Sequence, residues 1–484
     1  MSELEAAVRA ASERDLPRAE LSEAIVARLV ELDAPAESIA AAKRIALPGS
    51  VVVVAGQQPV LFGGPGLVWA KACDALAVAR SIDSAQTPAI AVFWNASEDH
   101  DHAECDHVRM DLGSEVETLR VPLPGDRRML SRVPVPVEAH ALLETLRGKF
   151  PQGPSRDEIL AALEPAADDT MGSWFSGILL RILGRHGLVV VEPETMRPFA
   201  KSVVDFELSR PGELAASVRR AEADATARGE RASLDLQRDE LFFLVDDAGR
   251  RLRVTRDADA WRVEDGRLLS ASQMRALPPS AFSWNVASRV LAQDVALPVA
   301  AQICGPSEIR YCARLSDGHA QVGVPQPALL PRSQWVFVSA RAERLCRDLG
   351  VDAERVAFGD DPLASPVVQA EPREIALLRD VMRGLPGDGS SAVQRRRAAL
   401  VHGVEAYAEA VARDSTERDV VRAERARKTL ALLRPDGEGQ DRRLSPLPAI
   451  TQYGTGPLVG LVRRELTGTH VFHLGQAHAD GANA

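Results

Sequence analysis

The 484-residue sequence predicts an α/β fold, a doubly wound parallel sheet interrupted by insertions and followed by a helical arm. Three observations predict it. Short apolar, β-branched runs recur without alternation, as strands buried on both faces require. The first run is followed by a glycine-rich turn, a helix-periodic stretch and a second run, the order of a right-handed βαβ unit. The stretch Glu371–Arg434 is rich in Ala, Arg, Glu and Leu and carries no strand signal. The length suits two or three domains.

The first 45 residues read as helix, with apolar positions Leu21, Ile25, Leu29 and Leu32 at helical spacing and Pro48-Gly49 as the stop. Val51–Ala55 reads as the first buried strand and ends in Gly56-Gln57-Gln58-Pro59 and Gly63-Gly64-Pro65-Gly66. A helix fits Leu67 to Arg80, and Pro88–Trp94 is the next strand. Further strands are expected at Gly187–Val191, Val299–Cys304 and Pro327–Leu330, with a helix after Gly305-Pro306-Ser307 that carries Glu308 in its first turn. His107–Val137 looks like short strands with turns, and Leu241–Leu269 like a meander turning at 246–249 and 264–266. The expected organisation is therefore a core over 1–370 with insertions at about 107–170 and 210–284. A helical arm over 371–434 follows, broken near Gly384–Gly389, then a return segment over 435–484 packing on the core. The last ten residues are small and polar and are expected to fray.

Charge narrows the function. With 58 basic and 68 acidic residues the net charge is −10, the wrong sign for a nucleic-acid groove. Only Lys43, Lys71, Lys149, Lys201 and Lys428 are lysines, so a lysine beside a glycine turn carries weight. Met1 to Arg14 lacks an apolar core of signal-peptide type, and no stretch approaches 18 apolar residues. A cytoplasmic protein without membrane or nucleic-acid partners is the expectation.

Ligands of open parallel sheets bind beyond the carboxyl ends of the strands. Those ends carry Gly56-Gln57-Gln58, then Ser97-Glu98-Asp99-His100-Asp101, Glu192-Pro193, Gly305-Pro306-Ser307-Glu308, and Pro331-Arg332. The glycine loop is neither GxGxxG nor a P-loop. Either it and Lys71 hold an anion, or the glycines only permit a tight turn and Lys71 is solvated. Residues 98–107 are five-tenths acidic and hold three histidines without a zinc spacing, so no metal is assigned. The cluster either does acid–base work or caps a helix. Asn285, Arg289 and Gln293, with Asp294 next, form one polar helical stripe, read as a ligand face or as plain surface.

Taken together, Val54-Ala55-Gly56-Gln57-Gln58, Leu61-Phe62, Gly64-Pro65 and Lys71 resemble the bacillithiol biosynthesis cysteine-adding enzymes, the BshC family of cysteine ligases. Phe93-Trp94, Ser97-Glu98-Asp99-His100-Asp101 and His107 resemble a second block of that family. Asn285-Val286, Arg289, Gln293-Asp294, Leu297-Pro298, Gly305-Pro306, Glu308-Ile309 and Tyr311 resemble a third. Pro325, Pro327, Pro331-Arg332 and Tyr453-Gly454 extend the match nearly end to end.

The resemblance implies a Rossmann-like core with connecting-peptide insertions, a coiled-coil-like arm used for homodimerisation, and ligation of cysteine to the amine of glucosaminyl malate. It implies Asp99, His100 and Asp101 as catalytic, positioning the amine and accepting its proton. It implies substrate or nucleotide contacts from Gly56, Gln57, Gln58, Gly64, Lys71, Glu98, Asn285, Arg289, Gln293, Asp294, Gly305, Glu308, Tyr311 and Arg332. ATP with Mg as co-substrate follows from fold analogy alone, because HIGH-type and KMSKS-type signatures are missing. Val60, Gly63 and Gly66 vary the family's glycine loop, the arm is shorter, and His102 and Cys105 replace apolar residues and are excluded from the site.

Cys73, Cys105, Cys304, Cys312 and Cys346 are odd in number, scattered, and contain no CxxC pair. All five are expected to titrate as free thiols in denatured, unreduced protein from a reducing compartment; a stoichiometric disulfide in a thiol assay overturns that reading.

Overall fold

A computed structural model of the chain describes residues 2–359, 373–384, 391–453 and 468–474. It forms two compact units, one of Met1–Val336 with Asp441–Phe472 and the other of Phe337–Gln440 with His473–Ala484.

Strands of the first unit are β1 (Val51–Gln57), β2 (Ala89–Asn95), β3 (His107–Asp111), β4 (Val116–Arg120), β5 (Val189–Val191), β6 (Phe242–Val245), β7 (Arg251–Asp257), β8 (Ala260–Val263), β9 (Leu268–Ser270), β10 (Phe282–Trp284), β11 (Val299–Cys304) and β12 (Ala328–Pro331). Its principal helices are α1 (Glu3–Ser12), α2 (Arg18–Glu31), α3 (Ala36–Lys43), α4 (Gly66–Ile82), α5 (Met171–Leu183), α6 (Val286–Ala296) and α7 (Pro306–Ala313). The expected leading helix is three helices, because Pro17 and Pro35 lack the N–H that would continue the ladder.

The core sheet runs β12-β11-β1-β2-β5, all parallel. From β1 the chain moves outward through β2 to β5, then returns to the other side of β1 for β11 and β12. The order therefore reverses between β1 and β11, the doubly wound switch point. Every residue of β2 and β11 is buried, which is why their sequences do not alternate. Helix α4 packs on β1 and β2, α1 on β11, and α5 on β2 and β5.

The first insertion holds the antiparallel pair β3–β4. The second is an antiparallel sheet ordered β10-β6-β7-β8-β9. Residues 441–445 contact this unit: Gly66 N donates to Leu444 O (2.8 Å), Ser445 N to Arg109 O (2.8 Å), and Asp441 pairs with Arg332. Gly66 packs closely on this segment, since a Cβ there would sit 3.1 Å from Asp441.

The second unit contains α8 (Ala340–Leu349), α9 (Ala353–Phe358), α10 (Arg373–Arg383) and α11 (Ser391–Leu433). Helices α8, α9 and α10 each pack on α11. Compactness thus divides the chain at 336/337 and 440/441, not at the expected 370/371 and 434/435, because α8 and α9 cluster with the arm. Beyond Gly384, the break expected at Gly384–Gly389 lies outside the described residues, as do the last ten residues.

Burial drives the Glu207 carboxyl up to about 8, with Glu240 and Asp239 adding to it. A raised carboxyl keeps its proton when folded and loses it on unfolding, so its contribution to stability is present below about 4.5 and is lost as pH rises toward about 8. Glu207→Gln is therefore expected to raise the thermal midpoint more at pH 8 than at pH 5; a gain independent of pH in thermal melts would refute this.

Candidate active site

A cleft of about 400 Å³ opens at the carboxyl edge of the sheet. The ends of β1 and β2 supply Gly56, Gln57, Gln58, Ala96, Glu98, Asp99 and His100 to it. From the other side of the switch point come Asn285, Val286, Arg289, Glu308 and Tyr311, and the second insertion adds Phe243, Arg251 and Trp284. Pro193, after β5, completes the wall.

Behind the β1 turn, Lys71 is only 2% exposed on α4. Its ammonium donates to Gly56 O (3.0 Å) and Gln57 Oε1 (3.0 Å) and pairs with Glu308 Oε2 at 2.6 Å. The same Glu308 oxygen accepts the Gly305 N–H at 2.6 Å. Lys71 and Gly305 are therefore supports of the cleft, and Lys71 is not solvated. Gly64 has φ 72° and does not line the cleft, and the Gly63, Gly64 and Gly66 N–H groups donate within the fold, to Val60, Leu61 and Leu444. The loop spends on its own turn the donors expected for an anion.

The turn after β2 separates its own residues. Glu98 is buried in an ion pair with Arg197 (Nε–Oε1 2.7 Å) and accepts from Ser283 Oγ (2.6 Å). Asp99 Oδ1 accepts the His100 and Asp101 N–H groups at 2.6 and 2.9 Å, folding the turn on itself. Asp99 and His100 reach the cleft; Asp101 is exposed and does not. His102 is buried between Arg128 O and Gly125 N, and Cys105 is buried too. Burial, helped by nearby Arg251, lowers His100 to about 4, so its ring is neutral at pH 7.

Helix α6 runs into the cleft from its amino end. Asn285 caps it, accepting from Ala287 N and Ser288 N (2.9 Å each). One turn on, Arg289 donates to Tyr311 Oη at 3.2 Å. A further turn carries the stripe out of reach: Gln293 is wholly buried and donates to Asp294 Oδ1 (3.0 Å), while Asp294 Oδ2 meets His319 Nε2 (2.8 Å). Gln293 and Asp294 are core groups, neither surface nor cleft. Arg332 is likewise buried away from the cleft, donating to Ser333 O (2.7 Å) and to Asp441.

Among the charged residues that line the cleft, Arg251 is the one that sequence reasoning missed. It opens β7, donates to His100 Nδ1 (3.2 Å) and Trp284 O, and lies 4.1 Å over the Phe243 ring. Burial lowers it to about 10, so it stays cationic at pH 7. No local motif marks it; only its insertion's position above the sheet does. Among the described residues no group of three His, Cys, Asp or Glu side chains comes together as a metal site.

The model of the bacillithiol biosynthesis BshC N-terminal Rossmann-like domain matches residues 2–333. A Solibacter usitatus protein named "Putative cysteine ligase BshC" is 28% identical over 86% of this chain and 82% of its own length. One of the same name from Thermus thermophilus is 30% identical over 78% of this chain and 75% of its own. A third, from Geobacillus thermodenitrificans, is 26% identical over 84% and 80%. The matched segment spans the sheet, both insertions and every residue that lines the cleft. This chain belongs to the bacillithiol biosynthesis BshC family.

Proposed function

We propose that this ligase joins the carboxyl group of L-cysteine to the amine of glucosaminyl malate, the last step of bacillithiol synthesis. Family membership supports the reaction class. The observation that carries the reading is the cleft at the switch point, where Asp99 and a neutral His100 face two cations, Arg251 and Arg289. That set suits an amine nucleophile attached to a dicarboxylate. The amine has to be neutral to attack, and Asp99 is the carboxylate placed to take its proton. Arg251 and Arg289 suit the malate carboxylates, since guanidinium matches carboxylate geometry. Asn285 and Gln58 supply amides at the rim.

Amide formation in water needs an activated carboxyl group, and a nucleoside triphosphate is the chemical class that provides one. Lys71 is already committed to Glu308 and is not the group that would hold its phosphates. The arm suits a second copy of the chain: Leu377, Val381, Leu400 and Tyr407 are each more than half exposed along α10 and α11. Replacing Leu377 and Leu400 with glutamate is expected to halve the mass seen by light scattering; an unchanged mass moves any dimer contact elsewhere.

Thiol profiling of cells lacking the gene tests the reaction, with loss of bacillithiol and accumulation of glucosaminyl malate as the expected result. In the same strain Asp99→Asn is expected to cut product formation about 10²–10⁴-fold at an unchanged thermal midpoint. Asp101→Asn, outside the cleft, is expected to behave like wild type. Full complementation by Asp99→Asn would remove it from the chemistry.

A further inference from the structure

We infer that His100 serves the site as a hydrogen-bond donor through Nε2–H, and that Arg251 is the positioning residue that fixes this tautomer. The inference rests on the reaction proposed above and divides its labour: Asp99 takes the proton, and His100 holds an oxygen of the substrate.

The geometry is restrictive. A guanidinium has donors and no acceptor, so the Arg251 NH1 group 3.2 Å from His100 Nδ1 requires that nitrogen to be bare. Protonating Nδ1 would set N–H against N–H. The neutral ring therefore carries its proton on Nε2, and its lone pair is already occupied. A histidine in that state has no free lone pair with which to accept the amine's proton. It can donate to a carboxylate or carbonyl oxygen, not to an ammonium group.

Arg251 is built in rather than flexible. It is 7% exposed, donates to Trp284 O, has its NH1 group 3.4 Å from Glu98 O, and stacks on Phe243. The Phe243 ring also meets the His100 ring edge-on, with centroids 6.2 Å apart, so one aromatic side chain braces both partners. The backbone of Arg251 is paired with Val245 on β6, which anchors the contact in the sheet of the second insertion. The charged and titratable groups acting on His100 are Arg251, Asp99, Arg127 and His102. Of these Asp99 alone favours the imidazolium, and burial with the cations outweighs it. The low proton affinity of the ring agrees with the tautomer that the contacts require.

The test uses the full chain. With ¹⁵N-labelled histidine, and His100→Gln to assign the signal, the His100 ring is expected to show a bare Nδ1 and protonated Nε2 from pH 5 to 9. Arg251→Gln is expected to restore a mixture of tautomers and to raise the pH at which the ring titrates. An imidazolium, or an Nδ1–H tautomer, in wild type at pH 7 would overturn the proposal. This measurement needs no substrate, so it is independent of whether the proposed substrates are right.

The kinetic arm uses cysteine, glucosaminyl malate and ATP. His100→Ala is expected to lose about 10²–10³-fold, the usual loss for a donor to a developing or bound oxyanion. His100→Gln, which places an amide N–H at about the position of Nε2, is expected to recover most of that loss and to keep the wild-type pH profile. If Gln is as poor as Ala and the acid limb of the profile disappears, His100 is the base and the assignment fails.

Discussion

The site depends on one buried ammonium. Lys71 lies under the reversal point of the sheet and cannot reach water, so it has to be neutralised from within. Glu308 does this from the far side of the switch point, and the same carboxylate closes the turn after β11 through Gly305 N. The carbonyl of Gly56 and the amide of Gln57 complete the coordination on the near side. Removing one partner of such a pair strands the other charge, at a cost of about 3–5 kcal/mol. The two strand ends that form the floor of the cleft are thus fixed to each other by a single cation, and the rest of the site is assembled on that floor.

The insertions act as walls in the same manner. Glu98, Arg197 and Ser283 join the turn after β2 to the start of the second insertion's last strand, β10. Leu130 N and Ser131 N donate to Asp99 O and Ser97 O (2.9 Å each), so the first insertion holds the backbone of the same turn. A turn tied on both sides holds Asp99 and His100 in place at the cleft.

What was legible in the sequence follows from which contacts are local. Four of the core strands were readable because burial on both faces leaves an apolar run, and Val299–Cys304 was located to the residue; β12, at the edge, is only partly buried. The turn after β2 was readable as a polar strand end. Its internal division was not, since Asp99 and Asp101 are equally acidic and only the fold of the turn sends one inward and the other to solvent. The stripe on α6 was correct in periodicity and silent on depth: Arg289 lines the cleft, and one turn further on Gln293 meets the core. Lys71 and Arg251 owe their roles to partners far along the chain, which no spacing rule reports.

Charge within the cleft opposes the charge of the whole protein. The chain carries a net −10, yet Glu98 is committed to Arg197 and Glu308 to Lys71. Arg251 and Arg289 form no ion pair among the described residues; their hydrogen bonds go to neutral groups, to His100, Trp284 O and Glu98 O in one case and Tyr311 in the other. Asp99 is then the carboxylate left to balance two guanidinium groups across a cleft with low-dielectric walls, where fields are focused.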